Sequence, residues 1–328
     1  MYGTGTKKML MMMILDILKK YSDEDHHLTQ QEIMRLLKSE YGMPCDRRSV
    51  KANVEALKEM DYDIDMENGY ALVGREFEDA ELRMLIDSVL FSKNITGTQS
   101  KRLIDKLKSF GNKYFEAKVS HVASSSYLSR TDNKQVMYTV GALNDAIDGK
   151  KKVSFRYTSY GTDFKLHDRG KEYVVNPYQM IASNGHYYLL GNLDWFDDIS
   201  YYRIDKIANV EILDDRVKPM KEVKGLENGL NLPKHMAEHI YLFCGESIPI
   251  KLKCSTGSID TLIDWFGKDI KILEEKDGEI IVRVVCSEYA IHYWALQYGP
   301  YFEVIEPKEI RDRLRDDINK MAEKYNRS

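Results

Sequence analysis

The side chain with the strongest chemical demand in this sequence is Arg203. It lies in Ile199-Ser-Tyr-Tyr-Arg-Ile-Asp-Lys-Ile207, an aromatic and β-branched run suited to a half-buried strand. A guanidinium there needs an acid, an anion or an aromatic face to lie against. On a strand, Tyr201, Arg203 and Asp205 share one face, so Asp205 is a local ion-pair partner and an external anion is the alternative. The preceding run, His186-Tyr-Tyr-Leu-Leu-Gly-Asn-Leu-Asp194, reads as the neighbouring strand, with Tyr187, Leu189 and Gly191 on a common face.

A second set of cations opens a helix. Asp46 is a good N-cap, and the helix behind it buries Val50, Val54 and Leu57. That stripe turns Arg48, Lys51, Ala52 and Glu55 outward and leaves Arg47 and Ser49 at the N-terminal end. Arginine suits guanine edges and lysine suits phosphates, so Arg47, Arg48, Ser49, Lys51 and Asn53 are the candidate contacts to double-stranded DNA. Glu55 and the acids Asp63, Asp65 and Glu67 work against this reading. Its alternative is a small helical bundle with an ordinary solvated face.

The elements that must position these groups follow from spacing. Leu10, Ile14, Ile17, Leu18 and Tyr21 recur at helical intervals. Thr29 and Glu32 form a capping box for a second helix burying Ile33, Leu36 and Leu37, which Tyr41-Gly-Met-Pro44 stops. After the third helix, Tyr62 to Val73 contains Asn68-Gly69, a two-residue hairpin signal. Three helices and a hairpin predict a winged helix-turn-helix over residues 1–75. Residues 76–133 read as a helical linker, with Phe77 to about Tyr127 helical, Asn94–Thr98 dividing two helices, and a polar boundary from Ser124 to Asn133. Residues 245–328 read as strand, helix, strand, strand, helix, strand, a ferredoxin-like βαββαβ unit, with Asp277-Gly278 as a turn and Pro307 at the first position of a last helix. The fold class predicted is multidomain α+β.

The spelling around Arg203 resembles the WYL domain of bacterial regulators, in which a Trp-Tyr-Leu strand precedes a Phe-Arg-Leu-Asp-Arg-Ile strand. Here the runs are Tyr187-Tyr188-Leu189 and Tyr202-Arg203-Ile204-Asp205-Lys206-Ile207, preceded by Val153-Ser-Phe-Arg-Tyr157 and Val175-Asn-Pro-Tyr178. The likeness spans about Gly141 to Val217 and sets a domain at 134–218. The Arg-Arg-Ser-Val opening of the third helix is similar to the DeoR-type domain that commonly precedes WYL domains. Trp294, Gly299, Val304-Ile-Glu-Pro307 and Arg311 resemble the C-terminal extension that follows them. The resemblance implies an Sm-like β-barrel at 134–218 and an anionic effector, a nucleotide, single-stranded DNA or RNA. It would place the phosphate on Arg203 and offer Tyr157 and Tyr187 to a base, each of which also reads as core packing with a bonded hydroxyl. Tyr187 stands where the family has tryptophan, Ser200 where many members have arginine, and Lys206 where an arginine follows the aspartate.

Composition bounds the rest. At 328 residues the chain predicts two or more domains, and a net charge of −4 gives no global pull toward nucleic acid, so such binding must come from a local patch. Cys45, Cys244, Cys254 and Cys286 form no Cys-x-x-Cys pair and read as free thiols of a reducing cytoplasm. Asp16 interrupts the apolar start, and no run approaches the roughly 20 residues of a membrane span. His235-Met-Ala-Glu-His239 spaces two imidazoles by one turn without a predictable third ligand, and reads as an exposed helical pair. Gly3-Thr-Gly-Thr-Lys7 is too short for a phosphate loop, and Gly-x-Ser-x-Gly is absent. No catalytic residue, metal or cofactor is expected. The reading is a homodimeric, ligand-responsive, cytoplasmic DNA-binding regulator. An RNA- or single-strand-binding accessory protein, its N-terminal domain serving assembly, is the rival, and an enzyme acting on nucleotides a remote third.

Overall fold

The computed structural model describes residues 9–119 and 130–326; the Gly3–Lys7 run and the serines at 124–126 lie outside them. The chain divides into two compact units, Met1–Lys134 and Gln135–Ser328.

In the first unit α1 (Leu10–Tyr21), α2 (Gln30–Tyr41) and α3 (Arg47–Glu59) enclose Ile14, Ile17, Leu18, Ile33, Leu37, Val50, Val54 and Leu57. The Thr29–Glu32 box is formed in both directions, and the Asp46 carboxylate accepts the Ser49 N–H at 2.7 Å. Strands β1 (Ile64–Asp65) and β2 (Ala71–Leu72) make the hairpin, but its loop spans five residues, 66–70, rather than two. The cause is Tyr70, whose N–H and carbonyl exchange hydrogen bonds of 2.8 and 2.9 Å with Leu28 instead of extending β2. Gly69 makes this approach feasible: its φ is +127°, and a Cβ there would stand 2.9 Å from the Leu28 carbonyl oxygen.

The helical stretch that follows has three described helices where two were expected: α4 (Asp79–Phe91), α5 (Gly97–Lys108) and α6 (Lys113–Val119). Ser109 caps the second, and the Asn112 side-chain oxygen starts the third by accepting the N–H groups of Tyr114 and Phe115. Leu82, Ile86, Leu90, Phe115 and Val119 form their core. Met84, Leu85, Phe91 and Phe110 remain exposed.

In the second unit α7 (Val136–Asp148) packs on an antiparallel sheet of β3 (Lys151–Tyr160), β4 (Leu166–Ser183), β5 (His186–Leu193), β6 (Ser200–Arg203) and β7 (Ile207–Arg216), in the order β6-β5-β4-β3-β7. Strand β6 stops at Arg203, and Ile204–Lys206 form a 3-10 turn, so Asp205 does not continue the strand as its parity suggested. Two fully buried amides, Asn176 and Asn192, organise the adjoining loops. The Asn176 amide donates to the Asn192 carbonyl and to Asp194, and its oxygen accepts the Lys218 N–H. The Asn192 amide donates to the carbonyls of Phe196 and Asp198.

After the short helix α8 (Leu232–Glu238) come β8 (Ser247–Ser255), α9 (Ile259–Phe266), β9 (Lys271–Lys276), β10 (Glu279–Ser287), α10 (Glu288–Tyr298), β11 (Phe302–Glu306) and α11 (Lys308–Tyr325). Their strands are antiparallel in the order β11-β8-β10-β9. Alternate residues Ile250, Leu252 and Cys254 of β8 and Ile280, Val282 and Val284 of β10 pack with Leu262, Phe266 and Trp294. Asp277 and Gly278 carry the turn with φ of +52° and +81°. Pro307 occupies the cap of α11, one position earlier than expected.

Candidate functional site

Two groups of side chains carry chemistry, one in each unit. On α3, burial of Val50, Val54 and Leu57 leaves Arg47, Arg48 and Lys51 exposed, as their spacing predicts. Ser49 and Asn53 are less available. The Ser49 side chain joins the cap made by Asp46, and the Asn53 amide donates to the Ser49 carbonyl at 2.7 Å within the helix. Lys51 lies 3.7 Å from Glu55, an exposed pair that competes weakly for its charge. Arg47 also lines an open groove of about 400 Å³ with Gln30 and Gln31 at the start of α2 and Asn68 and Gly69 of the hairpin loop. Helix start, arginine and loop tip thus share one surface. Gln30 and Gln31 had no signal in the sequence, because only the fold brings them beside Arg47.

The second group surrounds Arg203. Its Nε and Nη2 donate to the two Asp205 oxygens at 3.0 and 2.8 Å. The Asp205 side chain is 2% exposed and that of Arg203 27%, so the carboxylate is buried and the guanidinium is partly open. Burial works against the Arg203 charge, and the Asp205 bond and field more than restore it, leaving its pKa raised. The Arg203 N–H donates to the Tyr157 hydroxyl at 3.0 Å. Burial raises the Tyr157 pKa, so that hydroxyl stays protonated.

Tyr157 belongs to an aromatic cluster. Its ring centroid lies 6.1 Å from Tyr173 and 5.8 Å from Tyr202, and Phe155 backs both of those rings. Cations rim the cluster: the Arg169 guanidinium is 5.1 Å from the Tyr157 centroid, and Lys171 Nζ lies 5.4 Å from Tyr173 and 5.5 Å from exposed Trp195. Lys206 feels burial first and then the fields of Arg203 and Arg169, which together lower its pKa against the pull of Asp205. Asp205 thus meets Arg203 and Lys206, while Arg169 and Lys171 lie over aromatic rings, a set of cations and faces suited to an anion with a flat apolar part.

The expected trio is brought together only in part. Arg203 and Tyr157 touch, whereas Tyr188 and not Tyr187 stands across from Arg203 in the β5–β6 register. The pleat sends Tyr187 to the opposite face from Arg203, the one shared by Leu189 and its partner Tyr202, where it is 45% exposed. Arg169, Lys171 and Tyr188 were missed. Gly170 takes φ +72° within β4, and the β3–β4 register shifts between Arg156 and Thr158, so alternation could not assign a face there.

The histidine pair departs from its expectation as well. His235 is buried, shares a 2.6 Å hydrogen bond with the Tyr201 hydroxyl through Nε2, and stacks on His239 at 4.3 Å. The Cys244 thiol donates to the Ile199 carbonyl. Among the described residues no cluster of His, Cys, Asp and Glu could hold a metal, and no helix is long and apolar enough to cross a membrane.

Comparison with known proteins follows the same division. The WYL domain model matches residues 138–212, and the WCX domain model matches 246–322. An uncharacterized HTH-type transcriptional regulator, YobV of Bacillus subtilis, is 20% identical over 185 residues; the match covers 56% of this chain and 54% of that protein, so this chain spans about half the length of that relative. Of solved structures, the proteasome accessory factor B/C of Arthrobacter aurescens aligns with 99% of this chain and 51% of its own, at 13% identity and a TM-score of 0.31. A CRISPR Cas-related protein aligns with 100% and 88%, at 13% identity and 0.40. Superpositions that loose carry nothing about shape or role.

Proposed function

We propose that this chain, in which a WCX domain match follows a WYL domain match, is a WYL-domain transcriptional regulator that acts as a homodimer on double-stranded DNA. In this reading residues 1–75 are a winged helix-turn-helix, 76–133 a linker, 134–218 an Sm-like barrel and 245–328 a ferredoxin-like unit. The Leu28–Tyr70 bridge beside the hairpin supports the wing, and the strand orders β6-β5-β4-β3-β7 and β11-β8-β10-β9 support the other two. The observation that carries DNA binding is the groove in which Arg47 meets the start of α2 and the hairpin loop, with Arg48 and Lys51 exposed beside it on α3.

The effector in this reading is a nucleotide or a short single strand, its base against the Tyr157, Tyr173 and Tyr202 cluster and its phosphate among Arg169, Lys206 and the open edge of Arg203. Tyr187 serves only as an outlying ring. No catalysis is assigned. The test is gel-shift titration against genomic fragments at several salt concentrations. Arg48→Ala should cost about 1–3 kcal/mol if it reads a base, and Lys51→Ala should flatten the salt slope by about one unit if it meets phosphate. A double variant that binds as the parent does would end the duplex reading. The second reading, a single-strand or RNA-binding accessory protein, is favoured by the cation-rimmed tyrosines alone; it gains if oligonucleotides bind and no duplex does.

A further inference from the structure

A second cavity lies away from Arg203, at the other end of the same sheet. Its volume is about 690 Å³, and the turn after α7, the Pro177–Tyr178 stretch of β4 and the chain from Arg216 to Met220 form its walls. The floor is apolar: Ile147, Pro177, the Tyr178 ring, Pro219 and Met220. The rim holds three cations, Lys150, Arg216 and Lys218. Their neighbours Lys151 and Lys152 are paired with Asp214 and Asp194, whereas these three have no ion-pair partner among the described residues. The fields of Asp194 and Glu222 reach Tyr178, and Asp194 also feels Lys218.

The walls are fixed before any ligand arrives. The Tyr178 hydroxyl donates to the Lys218 carbonyl at 2.8 Å, the Lys218 N–H donates to buried Asn176 at 2.9 Å, and the Val217 N–H donates to the Lys150 carbonyl at 3.1 Å. A preformed cavity with apolar lining and three cations outside any ion pair has the size and lining of a small-molecule site. The cations select an anion, and the floor selects an apolar body behind it.

We propose that this cavity binds a small amphipathic anion, a carboxylate or phosphate ester with an apolar body, as a site separate from the tyrosine cluster. The inference does not rest on the DNA-binding reading. The probe for it is 8-anilinonaphthalene-1-sulfonate, an aromatic anion whose fluorescence rises in apolar surroundings, titrated into the full-length folded protein. Saturable binding should weaken about tenfold or more in Arg216→Glu/Lys218→Glu, with circular dichroism and melting unchanged, and Pro177→Asp should weaken it independently from the floor. Competition by decanoate or by phenyl phosphate then identifies the headgroup, and inorganic phosphate alone should not compete. Binding left intact by both variants, displacement by inorganic phosphate alone, or displacement by neither organic anion would each overturn the proposal. Duplex binding by Arg48 and Lys51 variants reads the regulator proposal separately.

Discussion

Arg203 holds a buried carboxylate and, in the proposed reading, also meets an anion, and substitution separates the two. Because Asp205 is 2% exposed, Arg203→Ala removes the bidentate partner of a buried carboxylate and should lower stability by about 3 kcal/mol, the low end for such a pair since Arg203 itself is partly solvated. Arg169→Ala removes an exposed cation above Tyr157 and should move stability by no more than about 0.5 kcal/mol while weakening oligonucleotide binding. Urea unfolding beside fluorescence anisotropy distinguishes them; equal losses of stability would refute the division of labour. His235 provides a pH-dependent counterpart. Burial first, and then neighbouring His239, push its pKa down to about 4 from an ordinary 6.5. Between those values the unfolded chain binds the extra proton, so the contribution to stability is complete above the unfolded value and declines as pH falls toward the folded one. The loss between pH 7 and pH 5 should be about 2 kcal/mol, and His235→Gln, which keeps an acceptor for Tyr201, should lose much less over the same interval. A parent and variant with parallel pH profiles would show that His235 is not the titrating group.

At the scale of elements, the hairpin of the first unit depends on Gly69. Gly69→Ala forces a Cβ to within 2.9 Å of the Leu28 carbonyl at a φ of +127°, and should cost about 1–3 kcal/mol. It should also reduce duplex affinity, since the loop beside Arg47 would shift. Normal melting and normal binding together would remove the hairpin from the interface. This loop also shows where sequence reading stops. Local chemistry declared the Thr29–Glu32 box, the Asp46 cap, the buried faces of α1 to α3 and the Asp277-Gly278 turn, because each is decided by residues a few positions apart. The five-residue hairpin loop was hidden because Tyr70 pairs with Leu28, some forty positions away. The candidate site divides in the same way. Arg47, Arg48, Lys51 and Arg203 were visible by type and spacing, and Tyr157 through the resemblance to the WYL domain. Arg169 and Tyr188 depended on a strand interrupted by Gly170 and on a register that only the folded sheet defines. Buried His235 depended on Tyr201, contributed from another segment.

At the scale of the molecule, Met84 at 71% and Phe91 at 67% stand exposed on α4, seven residues apart and so on one side of the helix, and offer apolar surface to a partner. A second copy is the partner the DNA reading requires, because two-fold symmetry matches a palindromic site. Sedimentation should therefore give twice the 38.2 kDa chain mass, and Met84→Glu/Phe91→Glu should return it to a monomer. A monomeric parent, free and on DNA, would leave this reading without its geometry. The Asn176–Asn192 ladder bears on how such a protein diverges from its relatives. The loop from Asp194 to Asp198, which carries Trp195, hangs by its main-chain carbonyls and one carboxylate from two amides inside the core. Anchored that way, its outward side chains are free to vary between lineages without retuning the sheet beneath. Under the proposed effector reading, substitution of Trp195 therefore changes that rim while the amides that hold the loop stay in place.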